Sequence, residues 1–228
     1  MRFTQDDRLL FIGDSVTDTG RDREDPSSLG NGYVRLIAEA LTAPRTDRAS
    51  PTVVNKGLDG NRVHDLEARW ATDVLGLAPS VVTVLIGIND TWRRYDRGLP
   101  SPVPEFEAAL DRVLALTLTH SAERSASPPG GATPHLFVMT PFLLPVGPEQ
   151  EIWLEDLLPR TEAVLRAATA HGATVVRTDL ALLQAAEALG AATLAPDGVH
   201  PSPLGHRVIA EAWLESARST TAATSDGT

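Results

Sequence analysis

The chain contains a serine at the end of a predicted strand, where its hydroxyl could act as a nucleophile. Residues 9–12 form a short apolar run, and Gly13-Asp14-Ser15 follows directly. Glycine permits a sharp turn after a strand, and in open parallel sheets ligands bind beyond the carboxyl ends of the strands. Ser15 would therefore lie where a nucleophile is useful. Taken alone, Gly-Asp-Ser is more typical of an ordinary turn.

Two further groups follow the next two predicted strands. Residues 55–61 include Gly57 and Gly60, which would let backbone N–H groups approach a ligand closely. A plain strand-to-helix turn is the alternative, and for Gly57 it is the favoured one. Residues 87–90 read Gly-Ile-Asn-Asp, and the side-chain amide of Asn89 could donate to a developing oxyanion. An Asx turn or a helix cap is the alternative there.

The fourth group is Asp197-Gly198-Val199-His200-Pro201, ahead of the last predicted helix. An aspartate three residues before a histidine can reach the imidazole across one tight turn, fix its tautomer and stabilise the imidazolium. Considered alone, His200 is more simply interpreted as a partly buried structural histidine. Chance accounts poorly for all four groups in this order, so together they favour a catalytic site.

The hydrophobic pattern predicts how these groups are positioned. Strands are expected at residues 9–12, 52–55, 81–86, 135–140 and 173–177, and helices at 33–41, 63–75, 104–119, 152–171, 180–189 and 204–217. Five alternations of strand and helix predict a parallel sheet with helices on both faces. We expect a single domain over residues 1–218 and a disordered tail over 219–228. Loops are expected at 17–32 and 121–134.

Composition narrows the classes of partner and compartment. The formal net charge is -10 and the sequence pI about 5.0, which disfavours nucleic acid and anionic membrane surfaces as partners. The chain has no cysteine, so it forms no disulfide and has no thiolate nucleophile. No apolar run approaches the length of a membrane span, and the N-terminal run is too short for a signal-peptide core. These features predict a soluble cytoplasmic protein.

Motifs of several other site types are missing from the sequence. There is no GxGxxG, GxxxxGK[ST] or HExxH motif, and Ser15 does not lie in GxSxG. A metal site is the natural alternative for the aspartate-rich stretch after the first strand, since carboxylates bind hard cations. Loop solvation and capping are favoured over metal binding for these side chains, and neither a metal nor a cofactor is expected. The residues concerned are Asp14, Asp18, Asp22 and Asp25.

The four groups together resemble the SGNH branch of the GDSL hydrolases. Residues 11–15 match the first block of that family, 55–60 the second, 87–90 the third and 197–201 the last, and the resemblance spans residues 8–213. Val16 stands where the family has leucine, which preserves the apolar character.

Finer matches are similar to the small intracellular acetylxylan esterases of that family. They cover residues 11–23, 30–34, 53–60, 65–70 and 86–96. The sequence departs from these esterases at Leu58-Asp59 and over 125–134.

The resemblance implies a fold and a set of roles. The expected fold is a flavodoxin-like three-layer α/β/α sandwich with a five-stranded parallel sheet. Ser15 would attack an ester carbonyl, His200 would take its proton and later protonate the leaving alcohol, and Asp197 would orient His200. The oxyanion would be held by the backbone N–H groups of Ser15 and Gly60 and by the side-chain amide of Asn89.

A wall of the pocket is predicted around this centre. An aromatic ring beside an arginine suits the face and the hydroxyl groups of a sugar. For Trp92 and Tyr95, packing on a helix as ordinary core is an equally good interpretation. The candidates for this wall are Asp14, Tyr33, Trp92, Arg93 and Tyr95.

The expected activity is serine-dependent hydrolysis of a small carboxylic ester, without metal or cofactor. The resemblance favours acetylated xylo-oligosaccharides or other acetylated sugars as substrates, and it also implies self-association. A broad short-chain esterase or thioesterase, or a tailoring deacylase acting on another small molecule, is the alternative within the enzyme class. From a different class, the chain could be a catalytically silent carbohydrate-binding module on the same fold.

Overall fold

A five-stranded parallel sheet forms the centre of the protein, in the strand order β2-β1-β3-β4-β5. The computed structural model describes residues 1–42, 50–125 and 133–225. Strand β1 lies between β2 and β3, so the order reverses beside it, and this reversal is where doubly wound folds bind ligands. The strands are β1 Arg8–Gly13, β2 Thr52–Gly57, β3 Val81–Leu85, β4 His135–Met139 and β5 Thr174–Val176.

Helices connect the strands and cover both faces of the sheet. Within the described ranges they are α1 Ser15–Asp18, α2 Tyr33–Thr42, α3 Val63–Asp73, α4 Ile88–Asp96, α5 Val103–Ser125, α6 Pro148–Ala170, α7 Thr178–Leu189, α8 Ala191–Leu194 and α9 Pro203–Ser225. A short 3-10 helix, Leu75–Leu77, follows α3.

Apolar side chains pack on both faces of the sheet, because successive side chains along the central strands point to opposite faces. Along β1, Leu9 and Phe11 belong to one core cluster, which includes residues of α2 and α9. Leu10 and Ile12 belong to the other, which includes residues of α3, α5 and α6. The indole N–H of Trp213 in α9 donates to the buried Thr83 Oγ1 at 3.1 Å. The predicted three-layer α/β/α sandwich is confirmed.

Helix α4 was not predicted, because its buried side is polar. Asn89, Asp90 and Thr91 are all buried in its first turn. They are satisfied by distant partners: Asp90 accepts the backbone N–H of Val63 at 3.2 Å, and Thr91 donates to Asp156 Oδ2 at 2.8 Å. An apolar-periodicity rule cannot detect a helix that buries hydrogen-bonded polar groups.

Other boundaries also differ from the prediction. Helix α1 begins inside the region expected to be a turn and loop. Helix α5 continues to Ser125, into the predicted loop 121–134, and residues 126–132 of that loop lie outside the described part of the chain.

The expected disordered tail is wrong for residues 219–225, because α9 continues to Ser225. The hydroxyl of Ser219 donates to the carbonyl of Glu215 at 3.1 Å, as serine side chains do inside helices. A helix that is already packed adds further turns at low cost. Residues 226–228 lie outside the described part.

Candidate active site

Ser15 stands at the carboxyl end of the central strand. Gly13 pairs with Gly57 on one side and with Leu85 on the other. A Cβ at Gly13 would lie 2.3 Å from the carbonyl oxygen of Leu85, so only glycine fits there. The next residue, Asp14, caps α1 by accepting the backbone N–H of Val16 at 3.0 Å. Ser15 is therefore the first residue of a capped helix at the edge of the sheet.

A histidine from the far end of the chain contacts this serine. The Oγ atom of Ser15 lies 3.0 Å from Nε2 of His200, although 185 positions separate the two residues. Nδ1 of His200 lies 2.6 Å from Oδ2 of Asp197. The hydroxyl, imidazole and carboxylate thus form one continuous chain of hydrogen bonds, which is the geometry that nucleophilic catalysis by serine requires.

The carboxylate of Asp197 is held by its own turn. Its Oδ1 accepts the backbone N–H groups of His200 and Val199 at 2.7 and 3.0 Å. Partial burial alone would raise the pKa of Asp197, but hydrogen bonds from the side chain and backbone of His200 and from Val199 hold that pKa below its ordinary value. Asp197 is therefore ionised at neutral pH and can stabilise a protonated His200.

Two residues that the sequence did not single out anchor this turn. Nε2 of Gln150 in α6 donates to the carbonyl oxygen of Asp197 at 2.7 Å, and the backbone N–H of Leu144 donates to that of Gly198 at 2.9 Å. Gly198 has a positive φ of 81°, which favours glycine. Neither Gln150 nor Leu144 lies near the motif in sequence, so no local spacing signals them.

Each predicted oxyanion donor has an N–H group that no other described part of the protein uses. Asn89 is 2% exposed, and its Nδ2 donates to the carbonyl oxygen of Asn61 at 3.2 Å. This contact fixes which way the amide points and leaves its second N–H available. Across the described ranges, the backbone N–H groups of Ser15 and Gly60 donate to no protein acceptor. A Cβ built on Gly60 would have no heavy atom within 4 Å, so the turn faces open space.

Asn89→Ala is expected to lower kcat for ester hydrolysis about 100- to 1,000-fold, because it removes one donor to the developing oxyanion. The KM should change little, since the ground-state carbonyl needs that donor less than the transition state does. Steady-state kinetics on p-nitrophenyl acetate measure both constants. Near-normal kcat in folded Asn89→Ala protein would remove Asn89 from the oxyanion site.

An open cleft of about 430 Å³ contains both Ser15 and His200. Its lining also includes the charged residues Arg21 and Arg23, from the stretch after α1, and Asp59, from the turn after β2. Asp18 accepts from Nε of Arg21 and from the backbone N–H of Asp59, each at 3.1 Å, and it also pairs with Arg23. The sequence indicated Asp18 only as a metal ligand or a capping residue, and it did not single out Arg21, Arg23 or Asp59.

The predicted pocket wall is only partly in place. Asp14 and Tyr33 are buried, at 1% and 0% exposure, so neither forms a wall. The hydroxyl of Tyr33 is hydrogen-bonded to Thr17 at 2.9 Å, and its ring stacks on His206. The Tyr33 expectation fails because a Phe11–Tyr33 edge contact draws the ring into the core.

The aromatic residues of α4 divide into two cases. The ring of Trp92 lies 5.8 Å from that of His200, and the guanidinium of Arg93 lies 5.2 Å from the centre of the Trp92 ring. Arg93 also donates to Oδ1 of Asn89 at 3.4 Å. Tyr95 stacks on Trp153 of α6 at 5.7 Å, which is the helix-packing alternative. Trp92 contacts the same Trp153 ring at 5.7 Å while also lying against His200.

Burial raises the pKa of Asp14 to about 7, and the negative charge of Asp90 adds to this shift, while hydrogen bonding from Val16 opposes it. Between pH 4 and 7 the folded state keeps a proton that the unfolded state releases. The free energy of unfolding therefore falls as the pH rises through this window.

Asp14→Asn keeps the helix cap but cannot titrate. Relative to this variant, the wild type is expected to lose about 3 kcal/mol of unfolding free energy between pH 5 and pH 8. Urea unfolding at the two pH values measures the difference. Asp25→Asn, a change on an exposed loop, is the control. Parallel pH dependence of wild type and Asp14→Asn would contradict the assignment.

The aspartates considered as metal ligands have other partners. Asp18 binds two arginines, Asp22 accepts the backbone N–H of Glu24, and Asp25 accepts from Ser27. Among the described residues, no group of three or more His, Cys, Asp or Glu side chains is arranged to hold a metal ion. No helix in the described ranges is both long and apolar enough to cross a bilayer.

Comparison with known proteins identifies the family to which the chain is similar. A model of the GDSL-like lipase/acylhydrolase family matches residues 11–208. An acetylxylan esterase from Geobacillus stearothermophilus is 37% identical over 218 residues, which cover 94% of this chain and 95% of that protein.

Solved structures give the same result. The crystal structure of an acetylxylan esterase from Geobacillus stearothermophilus matches with a TM-score of 0.82 and 34% identity, covering 95% of this chain and 96% of that one. Structures of catalytic mutants of that enzyme, with a serine, an aspartate or a histidine replaced by alanine, match as well. An alpha/beta hydrolase enzyme from the metagenome of Lake Arreo, Spain, has a TM-score of 0.83 and 32% identity, covering 95% and 97% of the two chains. The predicted resemblance is confirmed: this chain belongs to the GDSL-like lipase/acylhydrolase family, and it is a serine carboxylic ester hydrolase.

Proposed function

We propose that this protein removes acetyl groups from acetylated xylo-oligosaccharides, with Ser15 as the nucleophile. The observation that carries the proposal is the continuous chain from Ser15 Oγ to His200 Nε2, at 3.0 Å, and from His200 Nδ1 to Asp197, at 2.6 Å. The catalytic mutants of the Geobacillus stearothermophilus esterase alter the same three residue types.

The geometry supports a two-step mechanism. Ser15 Oγ attacks the acetyl carbonyl carbon while His200 Nε2 accepts the hydroxyl proton. The resulting oxyanion receives hydrogen bonds from the N–H groups of Ser15 and Gly60 and from the amide of Asn89. When the tetrahedral intermediate collapses, the sugar oxygen leaves with the proton from His200, and the acetyl group stays on Ser15.

Water completes the cycle. His200 takes a proton from a water molecule, whose oxygen attacks the acetyl-serine carbonyl. The second tetrahedral intermediate releases acetate, and Ser15 Oγ regains its proton from His200. Throughout, the ionised Asp197 holds the Nδ1–H tautomer and stabilises the imidazolium.

The surroundings of the cleft support a sugar as the alcohol. The side chains of Arg23 and Asp59 stand at the cleft, where a hydroxyl-bearing group finds both donors and acceptors. Trp92 lies next to His200 and offers an apolar ring face. An acetylated xylo-oligosaccharide combines hydroxyl groups, apolar ring faces and a short acyl group.

Acetate release from a panel of acetylated sugars tests the proposal, with Ser15→Ala protein as the blank. Release is expected from acetylated xylo-oligosaccharides and not from the blank. Measurable oligosaccharide binding without hydrolysis of any activated ester would instead favour a binding module.

Acyl-chain preference is a separate prediction. We expect kcat/KM on p-nitrophenyl esters to fall at least about tenfold from acetate to octanoate, because each methylene that a site cannot accommodate costs on the order of 1–3 kcal/mol. A series from acetate through butyrate to octanoate measures the trend. The opposite trend would favour a lipase or a thioesterase.

We also place the reaction in the cytoplasm, since the chain has no cysteine and an acidic composition. Self-association remains a prediction, and light scattering after size-exclusion chromatography would measure it.

A further inference from the structure

One arginine that does not line the cleft joins three segments of the site. Arg69 lies in α3, and its side chain is 16% exposed. Its Nη1 donates to the carbonyl oxygen of Lys56 at 2.8 Å, and its Nη2 donates to that of Gly13 at 3.1 Å. Its Nε donates to Oδ1 of Asn61 at 2.8 Å. A single guanidinium thus connects the ends of β1 and β2 with the turn that follows β2.

Two of these contacts, those with Gly13 and Asn61, lie close in sequence to a proposed oxyanion donor. Gly13 comes two residues before Ser15, and Asn61 follows Gly60 directly. The carbonyl oxygen of Asn61 also accepts the amide of Asn89 at 3.2 Å. Arg69 therefore touches the neighbours of all three donors, although it does not line the cleft itself.

The chemistry of the side chain suits this position. Buried carbonyls need donors, and the carbonyl of Gly13 has two: the backbone N–H of Leu58 at 3.0 Å and Nη2 of Arg69 at 3.1 Å. The planar guanidinium supplies several N–H groups in fixed directions, whereas a lysine ammonium is a point charge on a flexible stem. Asp73 fixes the guanidinium from the other side, through a 2.8 Å contact with Nη1. Arg69 lies in the stretch 65–70, which resembles the acetylxylan esterases but which the proposed mechanism does not use.

We propose that Arg69 is a positioning residue for the oxyanion site. It holds the backbone N–H of Gly60 and, through Asn61, the amide of Asn89 at the distance that the tetrahedral intermediate needs. The inference rests on the proposed function, since it assumes that these donors face a developing oxyanion.

The test uses Arg69→Lys and Arg69→Met, with Arg112→Met as the matched control. Arg112 also contacts α3, through an exposed ion pair with Glu67 at 2.6 Å, but it touches no residue of the site. Two rates are measured for each folded variant. One is kcat on p-nitrophenyl acetate, and the other is the rate constant for labelling by a p-nitrophenyl alkylphosphonate. Labelling needs the nucleophile and the oxyanion donors but no acetyl ester.

We expect Arg69→Lys to lower both rates about 10- to 100-fold, because small displacements of positioned groups have effects of that size. The KM and the acidic limb of the pH–rate profile should stay unchanged, since the Ser15–His200–Asp197 chain is not touched. Arg112→Met should behave as wild type. The double variant Arg69→Lys/Asn61→Ala should lower both rates by a factor clearly smaller than the product of the two single-variant factors, because both changes act on the same turn.

The proposal would be overturned if Arg69→Lys protein, shown to be folded by its thermal unfolding curve, keeps both rates within about twofold of the wild type. It would also be overturned if the effects of Arg69→Lys and Asn61→Ala are fully additive in free energy. If the wild type is labelled but hydrolyses no acetyl ester, the proposed function fails. The labelling rates of the Arg69 variants still decide the positioning role in that case.

Discussion

Ser15→Ala is expected to lower kcat for ester hydrolysis by up to about a million-fold, which is the scale seen when the nucleophile of a serine hydrolase is removed. The change deletes the hydroxyl that lies 3.0 Å from His200 Nε2 and leaves the rest of the chain of hydrogen bonds in place. Any residual rate would come from water activated by His200 and from the remaining oxyanion donors.

The measurement is acetate release and p-nitrophenyl acetate hydrolysis at saturating substrate. Ser27→Ala, on an exposed loop, is the matched control and should keep the wild-type rate. The fold should be unchanged, since Asp14 caps α1 with or without the hydroxyl of Ser15. Retention of more than about one hundredth of the wild-type kcat would exclude Ser15 as the nucleophile.

Asp197→Asn is expected to lower kcat about 10,000-fold while preserving the shape of the site. An asparagine Oδ1 can still accept the backbone N–H groups of Val199 and His200 that Asp197 accepts now. Its amide would donate to Nδ1 of His200, so the ring proton would move to Nε2. His200 could then no longer accept the proton of Ser15.

Asp179→Asn is the control for this change. Asp179 is also a hydrogen-bonded aspartate with a lowered pKa, held by Arg177 and Thr140 away from the cleft. It should keep near-normal kcat, although it will lose some stability. A folded Asp197→Asn enzyme within about tenfold of wild-type kcat would show that His200 does not depend on this carboxylate.

The sequence was most informative where chemistry and backbone geometry coincide locally. Gly13-Asp14-Ser15 places a glycine where no Cβ fits and an aspartate where a helix needs a cap, and both constraints act within three residues. Asp197 and His200 are likewise joined within one turn. Parallel strands have their carboxyl ends at one edge of the sheet, so residues that follow different strands could be predicted to lie near each other.

The parts that could not be predicted depend on contacts between distant segments. Gln150 anchors the turn before His200, and Arg69 joins three chain segments, but neither contact has a spacing that a single sequence reveals. Tyr33 has the residue type of a pocket wall, yet tertiary packing buries it. Helix α4 buries polar residues that are hydrogen-bonded to other elements, and a search for apolar periodicity does not detect such a helix.

Mass spectrometry of the protein after reaction with a p-nitrophenyl alkylphosphonate tests the central claim most directly. The account predicts one adduct per chain, on the peptide that contains Ser15. An adduct on any other residue, or an unlabelled Ser15 in protein that still hydrolyses esters, would contradict it.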